Sequence, residues 1–417
     1  MSDAATRGAI EAVFRIEAPR LIAALARFTR DVGRAEDLAQ DALVAALEEW
    51  PRQGVPENPA AWLMATAKHR AIDLFRRDTR LARIHEDLAH ETGDAGTAGA
   101  GTDREGDDVG DDLLRLMFVA CHPVLPPESR VALTLRVLGG LTTQAIARAY
   151  LLPEPTIAQR IVRAKRTLAA SQVPFEIPRG AERDARLASV LEVIYLAFNE
   201  GYAATSGDEW MRTDLSHEAL RLGRVLAGLT PWEPEVFGLV ALMEIQASRF
   251  AARRGPGGEP ILLLDQNRAL WDPLLVRRGL AALERAERLA DRRGPYAVQA
   301  AIAACHARAR TAAETDWGRI VALYDELLRV VPSPVIALNR AVAVGMASGP
   351  QAGFDLVETL ASEPALESYH LLPSVRGDLL ERLGRHQEAR AEFERAATMT
   401  GNARERDLLL RRANRNW

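Results

Sequence analysis

The fold is decided by a stretch that begins Ala35-Glu-Asp-Leu-Ala-Gln-Asp-Ala-Leu-Val-Ala-Ala-Leu-Glu-Glu-Trp50, continues through Pro51-Arg-Gln-Gly-Val-Pro-Glu-Asn-Pro59 and ends with Ala60-Ala-Trp-Leu-Met-Ala-Thr-Ala-Lys-His-Arg-Ala-Ile-Asp-Leu-Phe-Arg-Arg77. The first segment is acidic and the last is basic, and both have the apolar spacing of amphipathic helices. Three prolines and a glycine predict that the middle segment is not helical. An acidic helix beside a basic helix indicates two different macromolecular partners.

The acidic helix is expected to have two faces. The predicted packing face carries the large apolar side chains Leu38, Leu43, Leu47 and Trp50. The polar face carries acids at i, i+4 and i+11 with an amide beside them, namely Asp37, Asp41, Glu48 and Gln40. Such a face is either ordinary solvated surface or a docking surface, and this helix alone leaves both interpretations open.

The basic helix is expected to begin at a cap formed by Asn58, with Pro59 at its first position. Its predicted packing face consists of Leu63, Ala67, Ala71 and Leu74. Its outward positions i, i+4, i+7, i+8 and i+11 are His69, Asp73, Arg76, Arg77 and Arg80. Arginines pair with phosphates, while the imidazole and carboxylate offer directional hydrogen bonds to bases.

Simpler interpretations of this helix stay open. Trp62 is placed to stack on an unpaired base, but it also suits a core anchor. Asp73 suits an ion pair with Arg76 or Arg77 on the same helix. None of these residues is decisive alone.

A second helical unit is predicted over residues 112–172, after a Gly-, Ala- and acid-rich segment, residues 89–111, that predicts a flexible linker. Within it, Leu141 to Tyr150, a turn at Leu151 to Glu154, and a basic helix from Pro155 predict a helix-turn-helix. The inward residues of the basic helix are Ile157, Ile161, Ala164 and Leu168. The outward residues, which suit base edges and phosphates, are Thr156, Gln159, Arg160, Arg163 and Arg166.

Composition limits the class of protein. The chain has 417 residues and a formal net charge of −4, so nucleic-acid contacts must come from local basic patches. Two isolated cysteines and the absence of a long apolar span predict a cytoplasmic protein with no membrane partner. Cys121-His122 has no third partner, and the histidines lack metal-site spacing. We therefore predict no enzyme activity, no cofactor and no metal.

These segments resemble the extracytoplasmic-function class of sigma factors in the sigma-70 family. The resemblance is carried by Ala35 to Leu43, by Trp62 to Arg77, and by Ala145-Ile-Ala together with Pro155-Thr-Ile-Ala-Gln-Arg-Ile-Val-Arg-Ala. It implies that the protein binds core RNA polymerase, through its β′ and β subunits, and promoter DNA. The chain departs from the family at Pro155, at Ala158 and near His69, so a promoter sequence does not follow.

The resemblance also implies residue roles. The polymerase-docking residues would be Asp37, Gln40, Asp41 and Glu48. The residues that open and read the minus-ten element would be Asn58, Trp62, Lys68, His69, Arg70, Asp73, Arg76 and Arg77. The minus-thirty-five element would be read by Thr156, Gln159, Arg160, Arg163 and Arg166.

The C-terminal half is predicted to be a helical repeat domain. The spacing of one tetratricopeptide (TPR) unit is reproduced by Gly377, Leu380, Gly384, Ala389, Phe393 and Ala396. An earlier unit is indicated by Tyr324, Leu327 and Pro332. A subset of the same sigma-factor class carries a similar extension, which implies regulation by the attached domain and a protein or peptide partner for it.

Several residues of this half are polar or aromatic in otherwise apolar helices. They are Asn199, Tyr202, Asp265, Asn267, Asp316, Trp317 and Asn339. We interpret them as caps and interhelix hydrogen bonds in preference to a ligand site.

The sequence thus predicts an all-α protein in five parts. Sigma domain 2 spans 1–88, the acidic linker 89–111, the helix-turn-helix sigma domain 4 112–172, a short linker 173–183, and the TPR-like regulatory domain 184–417. The favoured function is an alternative sigma factor modulated by its own C-terminal domain. The alternative is an operator-binding helix-turn-helix regulator, or a TPR-type adaptor, that does not dock on polymerase.

Overall fold

The structure is a computed structural model that describes residues 3–89 and 108–415. Within its helices, the side chains of residues 3–7, 9, 11, 15, 75, 77–89, 108 and 109 are not described. Most of the predicted acidic linker, residues 90–107, therefore lies outside the described residues. The chain divides into two compact units, Met1–Val193 and Ile194–Trp417. This division into two units does not test the five predicted parts, whose boundaries stay predictions.

The first unit is helical throughout its described secondary structure. Its helices are α1 (Asp3–Thr29), α2 (Val32–Gln53), α3 (Pro59–Ala89), α4 (Asp108–Ala120), α5 (Pro127–Val137), α6 (Thr143–Tyr150) and α7 (Glu154–Ala170). The division between the units falls inside α8 (Gly180–Tyr202). Early in the chain α1, α2 and α3 pack on one another, and later α5, α6 and α7 do the same.

The packing of α2 uses small side chains more than large ones. Four alanines at helical spacing are completely or almost completely buried, namely Ala35, Ala39, Ala42 and Ala46. Leu38 and Trp50 are buried as predicted, but Leu43 and Leu47 are only half-buried. Small residues allow neighbouring helix backbones to approach closely, and α1 packs extensively on this helix.

Two prolines of the first unit lie inside helices. Pro19 is inside the single helix α1, and Pro51 is in the last turn of α2. The prediction that the whole segment from Pro51 to Pro59 is non-helical is therefore wrong for its first three residues. Pro51 lacks an N–H and so removes one hydrogen bond to the preceding turn, and the helix ends two residues later. The helix stops at Gly54, where φ is 87° and the N–H bonds to Trp50 O at 2.9 Å.

The second unit is also helical, as predicted. It contains the last part of α8, then α9 (Thr213–Leu229), α10 (Pro234–Ala247), α11 (Pro273–Leu289), α12 (Pro295–Arg308), α13 (Trp317–Val330), α14 (Pro334–Ser348), α15 (Pro350–Leu360), α16 (Leu371–Arg382), α17 (His386–Met399) and α18 (Ala403–Ala413). Short 3-10 helices cover Phe250–Arg253, Leu263–Asp265, Arg268–Leu270 and Pro364–Leu366. From α12 to α18, each helix packs on the next. That serial packing is typical of helical repeats.

The residues of the later predicted TPR unit fall in α16, in α17 and in the turn between them, while Tyr324 and Leu327 of the earlier unit lie in α13. A Cβ at Gly377 would lie 2.8 Å from the Phe393 ring, so glycine is what lets this ring pack against α16. Leu380, Ala389 and Phe393 are each about 1% exposed. Gly384 has φ of 75°, a left-handed turn conformation that favours glycine.

The two ends of the second unit meet through a short parallel sheet. Strand β1 (Ser206–Gly207) pairs with β2 (Gly401–Asn402). Asn402 is fully buried, and its Nδ2 donates to Ala204 O at 3.0 Å and to Glu209 O at 2.8 Å. Its Oδ1 caps α18. The helical series therefore closes on its own beginning instead of remaining an open solenoid.

Candidate nucleic-acid interface

The helix-turn-helix is formed by α6 and α7. The Thr142 hydroxyl accepts a hydrogen bond from Ala145 N at 3.0 Å, which caps the start of α6. Leu151 ends the helix in a left-handed conformation, φ 49° and ψ 41°, and this reverses the chain toward α7. The four residues predicted to face inward on α7 are each at most 5% exposed, namely Ile157, Ile161, Ala164 and Leu168.

The opposite face of α7 carries arginines that have no counter-ion among the described residues. Gln159, Arg163 and Arg166 are exposed, while Thr156 and Arg160 are half-buried. Among the residues that the structure describes, no carboxylate pairs with any of these three arginines. Their guanidinium groups therefore remain available to an anionic partner such as a phosphate backbone.

Lys165 is a different kind of cation on the same helix. Its Nζ lies 2.6 Å from a carboxylate oxygen of Glu36, which is 4% exposed on α2. Arg136 Nε donates to Glu36 Oε1 at 2.6 Å, and Gln40 Nε2 donates to the same oxygen at 2.8 Å. Burial alone would raise the pKa of Glu36, but Lys165 and Arg136 outweigh burial and lower that pKa below its ordinary value. This cluster ties α2 to α5 and α7.

Sequence reasoning missed Glu36. It stands directly beside Asp37 and was included in the acidic run without a role of its own. The available signal was its position three residues before Ala39, which places it on the alanine face that packs. A carboxylate on a buried helix face requires a cation nearby.

The predicted polymerase-docking acids lie at the surface of α2. Asp37, Asp41 and Glu48 are all exposed. The carboxylate of Asp41 is 3.7 Å from Arg70, whose Nη1 also donates to the Asp41 carbonyl at 2.7 Å. Gln40 is half-buried because its amide is held by Glu36. The acidic face is therefore accessible, while its amide is directed inward.

The predicted helix cap at Asn58 is present at the start of α3. Asn58 Oδ1 accepts from Ala61 N at 3.0 Å. The ring of Trp62 is half-buried and meets Trp50 edge-on, with 5.4 Å between ring centres. Trp62 is therefore part of the packing between α2 and α3 and still partly accessible.

The polar residues of α3 lie at the surface as far as they are described. Lys68 and His69 are exposed, and Asp73 lies 3.9 Å from Arg76 in the predicted intrahelical pair. The side chains of Arg77 and Arg80 are outside the described set. Leu74 is 37% exposed, so its assignment to the packing face is wrong. The buried residues described on this 31-residue helix are Leu63, Ala67 and Ala71.

Cys121 and His122 show no arrangement for catalysis. The buried Cys121 Sγ lies 3.3 Å from Thr134 Oγ1, and burial raises its pKa to about 12, so the reactive thiolate is suppressed. Burial, with help from Arg186, lowers the pKa of His122 to about 4. Within the described ranges, no three His, Cys, Asp or Glu side chains cluster in a way that suits a metal ion. No described helix is both long and apolar enough to cross a bilayer.

Family comparisons match two separate segments of the first unit. Residues 13–81 match Sigma-70 region 2, and residues 115–168 match Sigma-70 region 4. The first range covers α2 and most of α3, and the second covers α6 and all but the last two residues of α7. Residues 186–287 match a family of unknown function, DUF6596.

Three curated proteins show the extent of the similarity. The uncharacterized protein R00370 of Rhizobium meliloti (strain 1021) is 45% identical over 389 residues, which is 93% of this chain and 91% of that protein. The ECF RNA polymerase sigma factor SigC of Mycobacterium tuberculosis is 29% identical over 156 residues, 36% of this chain and 76% of that protein. The probable RNA polymerase sigma-C factor of Mycobacterium bovis matches to the same extent. No solved structure matches the chain. The chain therefore contains Sigma-70 regions 2 and 4, resembles an extracytoplasmic-function sigma factor over that part, and carries a C-terminal helical extension.

Proposed function

We propose that this protein is an alternative sigma factor that docks on core RNA polymerase, directs initiation at its own promoters in the cytoplasm, and is modulated by its own C-terminal domain. The observation that supports promoter reading most strongly is the outer face of α7. It presents Arg160, Arg163 and Arg166 without a described carboxylate partner, on a helix-turn-helix of the usual form.

Docking on polymerase is assigned to the acidic face of α2. The exposed carboxylates of Asp37, Asp41 and Glu48 suit a basic surface, which we assign to the β′ subunit. Gln40 would join this surface if its amide gave up the hydrogen bond to Glu36 and donated to the polymerase instead. The helix-turn-helix unit is assigned to the β subunit.

Promoter opening is assigned to the loop from Gly54 to Asn58 and to the exposed part of α3. Trp62 presents part of an aromatic ring beside this loop, which suits stacking on an unpaired base. The polar groups assigned to the opened minus-ten strand are Asn58, Lys68, His69, Arg70, Asp73, Arg76 and Arg77. Of these, Arg70 already contacts Asp41, so it also positions α3 on α2.

Run-off transcription with purified bacterial core polymerase tests this function. Promoter DNA from the protein's own genome should yield defined transcripts only when the protein is added. An operator-binding regulator would instead bind a specific DNA site alone and add no transcript. That alternative gives no reason for the acidic face of α2 to be exposed beside a basic helix.

Modulation by the C-terminal helices is tested by comparing the full chain with a chain that ends after α8, at Tyr202. We expect the two proteins to give different transcript yields at equal polymerase occupancy. Circular dichroism of the shortened chain controls for loss of helix. Equal yields from two folded proteins would remove the regulatory role of the C-terminal half.

A further inference from the structure

A cavity of about 300 Å³ lies among the helices of the second unit. Most of its walls come from α8, α10, α12, α13 and α14, and the segment after α10 contributes Arg249 and Leu263. Its apolar wall includes Phe198, Leu242, Ile302, Tyr324, Leu327 and Ile336. This volume is at the lower end of the range that small-molecule sites occupy.

The charge of the cavity wall is one-sided. Arg249 is its cation, and none of the described residues lining it is an aspartate or glutamate. Arg249 donates to two amide oxygens, Gln246 Oε1 at 2.8 Å and Gln266 Oε1 at 3.2 Å, and the described part of the chain offers it no ion pair. A cation held by neutral acceptors keeps its charge uncompensated.

Two more arginines near this wall also have neutral hydrogen-bond acceptors and no described ion pair. Arg253 is buried, stacks 3.5 Å from the centre of the Tyr202 ring and donates to the Tyr202 carbonyl at 2.5 Å. Arg268 donates to the carbonyl oxygens of His306, at 2.5 Å, and of Ala309, at 2.7 Å. Neither has a carboxylate within salt-bridge distance among the described residues. The region therefore carries a local excess of positive charge.

His306 supplies a buried polar atom without a partner. It lines the cavity and is 8% exposed, and its Nδ1 has no hydrogen bond among the described residues. Its ring lies edge-on to Trp317, with 5.2 Å between centres. Burial, with Arg249 and Arg268, lowers the pKa of His306 to about 4, so the imidazole is neutral at neutral pH. A neutral imidazole accepts or donates one directional hydrogen bond at each nitrogen.

Amides and phenols complete the polar part of the wall. Tyr202 Oη donates to Gln246 Oε1 at 2.9 Å, and Tyr195 Oη donates to Gln299 Oε1 at 3.1 Å. Asn199 and Asn339 also line the cavity. A few directional polar groups set in an apolar wall are the usual composition of a ligand site.

We propose that this cavity binds a small organic acid, with its carboxylate at Arg249 and His306 and an aromatic or branched apolar body against Phe198, Ile302 and Tyr324. The unpaired guanidinium supplies the charge, and the unpartnered imidazole supplies the second hydrogen bond. The site belongs to the second unit and does not depend on the polymerase and promoter assignments. Its ligand would be an effector of the C-terminal domain.

Calorimetric titration of the full chain tests this site with phenylacetate as the acid and phenylacetamide as its neutral isostere. We expect saturable binding of phenylacetate at millimolar concentration and about 10- to 100-fold weaker binding of the amide, because a charge-assisted hydrogen bond is lost. Polymerase and DNA are absent, so failure of the sigma-factor assignment would leave this result unchanged.

Two variants and one control locate the binding. Arg249→Gln should weaken phenylacetate binding by about 10- to 100-fold and remove the preference for acid over amide. Asn339→Leu, at an exposed cavity residue whose side chain makes no hydrogen bond within the described ranges, should weaken binding several-fold without unfolding. Arg277→Gln, on the exposed surface of α11, should change nothing.

The proposal fails if phenylacetate shows no saturable binding, if acid and amide bind equally, or if both variants bind as the parent does. Thermal unfolding of each variant shows whether it is folded. If Arg249→Gln does not fold, Asn339→Leu decides alone: weaker binding supports the site, and unchanged binding overturns it.

Discussion

Arginine has opposite surroundings in α7 and in the last helices of the chain. In the C-terminal helices, Arg376 bridges Glu358 and Glu392, and Arg412 bridges Asp378 and Glu381. On the outer face of α7, the three arginines have no described carboxylate. The same side chain therefore holds helices together in one region and remains available for a partner in the other. Composition alone does not distinguish these roles, but ion pairing does.

The arginines around the cavity extend this comparison within the second unit. Arg224 and Arg376 pair with carboxylates, as a structural arginine does, whereas Arg249, Arg253 and Arg268 have only neutral acceptors. In lacking a described carboxylate partner, this group resembles the three arginines of α7 and differs from Arg412 of α18. The predictions below test this difference in pairing from its largest expected effect to its smallest.

The largest effect is expected from Arg412→Ala. Its guanidinium is mostly buried, lies 4.3 Å from the centre of the Phe393 ring, and joins α18 to α16. Removing one partner of such a pair leaves carboxylates uncompensated, so the free energy of unfolding should fall by about 3 kcal/mol. Urea unfolding measures this change. Arg411→Ala, the exposed neighbour, should change stability by less than about 0.5 kcal/mol, and equal effects would contradict the structural role.

The next effect is expected from Glu36→Gln. The substitution removes the charge that Lys165 and Arg136 share, and should lower the free energy of unfolding by about 1.5–3 kcal/mol at pH 7. Glu49→Gln, on the exposed side of α2, is the matched control. Hydrogen exchange of α2 and α7 should increase in Glu36→Gln and not in Glu49→Gln.

The same carboxylate gives a pH dependence of known sign. Because the folded pKa of Glu36 is below its ordinary value of 4.5, its stabilisation is complete above pH 4.5 and is lost as the pH falls through the folded pKa. The stability difference between the parent and Glu36→Gln should therefore shrink on acidification below pH 4.5. A difference that stays constant down to strongly acidic pH would exclude the ion pair as its origin.

Arg163→Ala tests the arginines of α7, which have no described carboxylate partner. With no described internal partner to lose, the variant should keep its stability but lose about 1–3 kcal/mol of promoter affinity, together with sequence discrimination in the minus-thirty-five element. Fluorescence anisotropy on promoter and scrambled duplexes, with the polymerase holoenzyme, measures both. Arg277→Ala is the control. An unchanged specificity profile would refute the base contact.

The smallest effect is expected from Asp41→Ala. Asp41 is an exposed acid, so its loss should weaken core-polymerase binding by about 0.5–1 kcal/mol, mainly through a slower association rate. Glu363→Ala, an exposed acid of the second unit, should leave polymerase binding unchanged. Interferometry with immobilised core polymerase at two salt concentrations compares the two. Equal affinities for parent and Asp41→Ala would count against the docking face.

Local patterns allowed much of the first unit to be predicted. The helix-turn-helix was predictable because the inward positions from Ile157 to Leu168 repeat every three or four residues and a turn directly precedes their helix. The packing of α2 was predicted less well. Large side chains suggested a leucine face, but the approach of α1 is set by alanines, which apolar periodicity weights weakly.

Long-range contacts explain what the sequence did not predict. Glu36 is paired with a cation a hundred positions later, so neither residue indicates the other locally. Among the polar residues of the C-terminal half, Asp316 and Asn267 are caps, as interpreted. Tyr202 makes an interhelix hydrogen bond to Gln246, also as interpreted, and together with Asn199 and Asn339 it lines a cavity that forms only when the helices around it have assembled.

Permanganate footprinting of promoter DNA tests the central assignment most directly, because it detects unpaired thymines. We predict reactive thymines at the minus-ten element only when both this protein and core polymerase are present, with weaker reactivity for Asp41→Ala. Specific protection of DNA by the protein alone, with no reactive thymines after polymerase is added, would contradict the account and identify an operator-binding regulator.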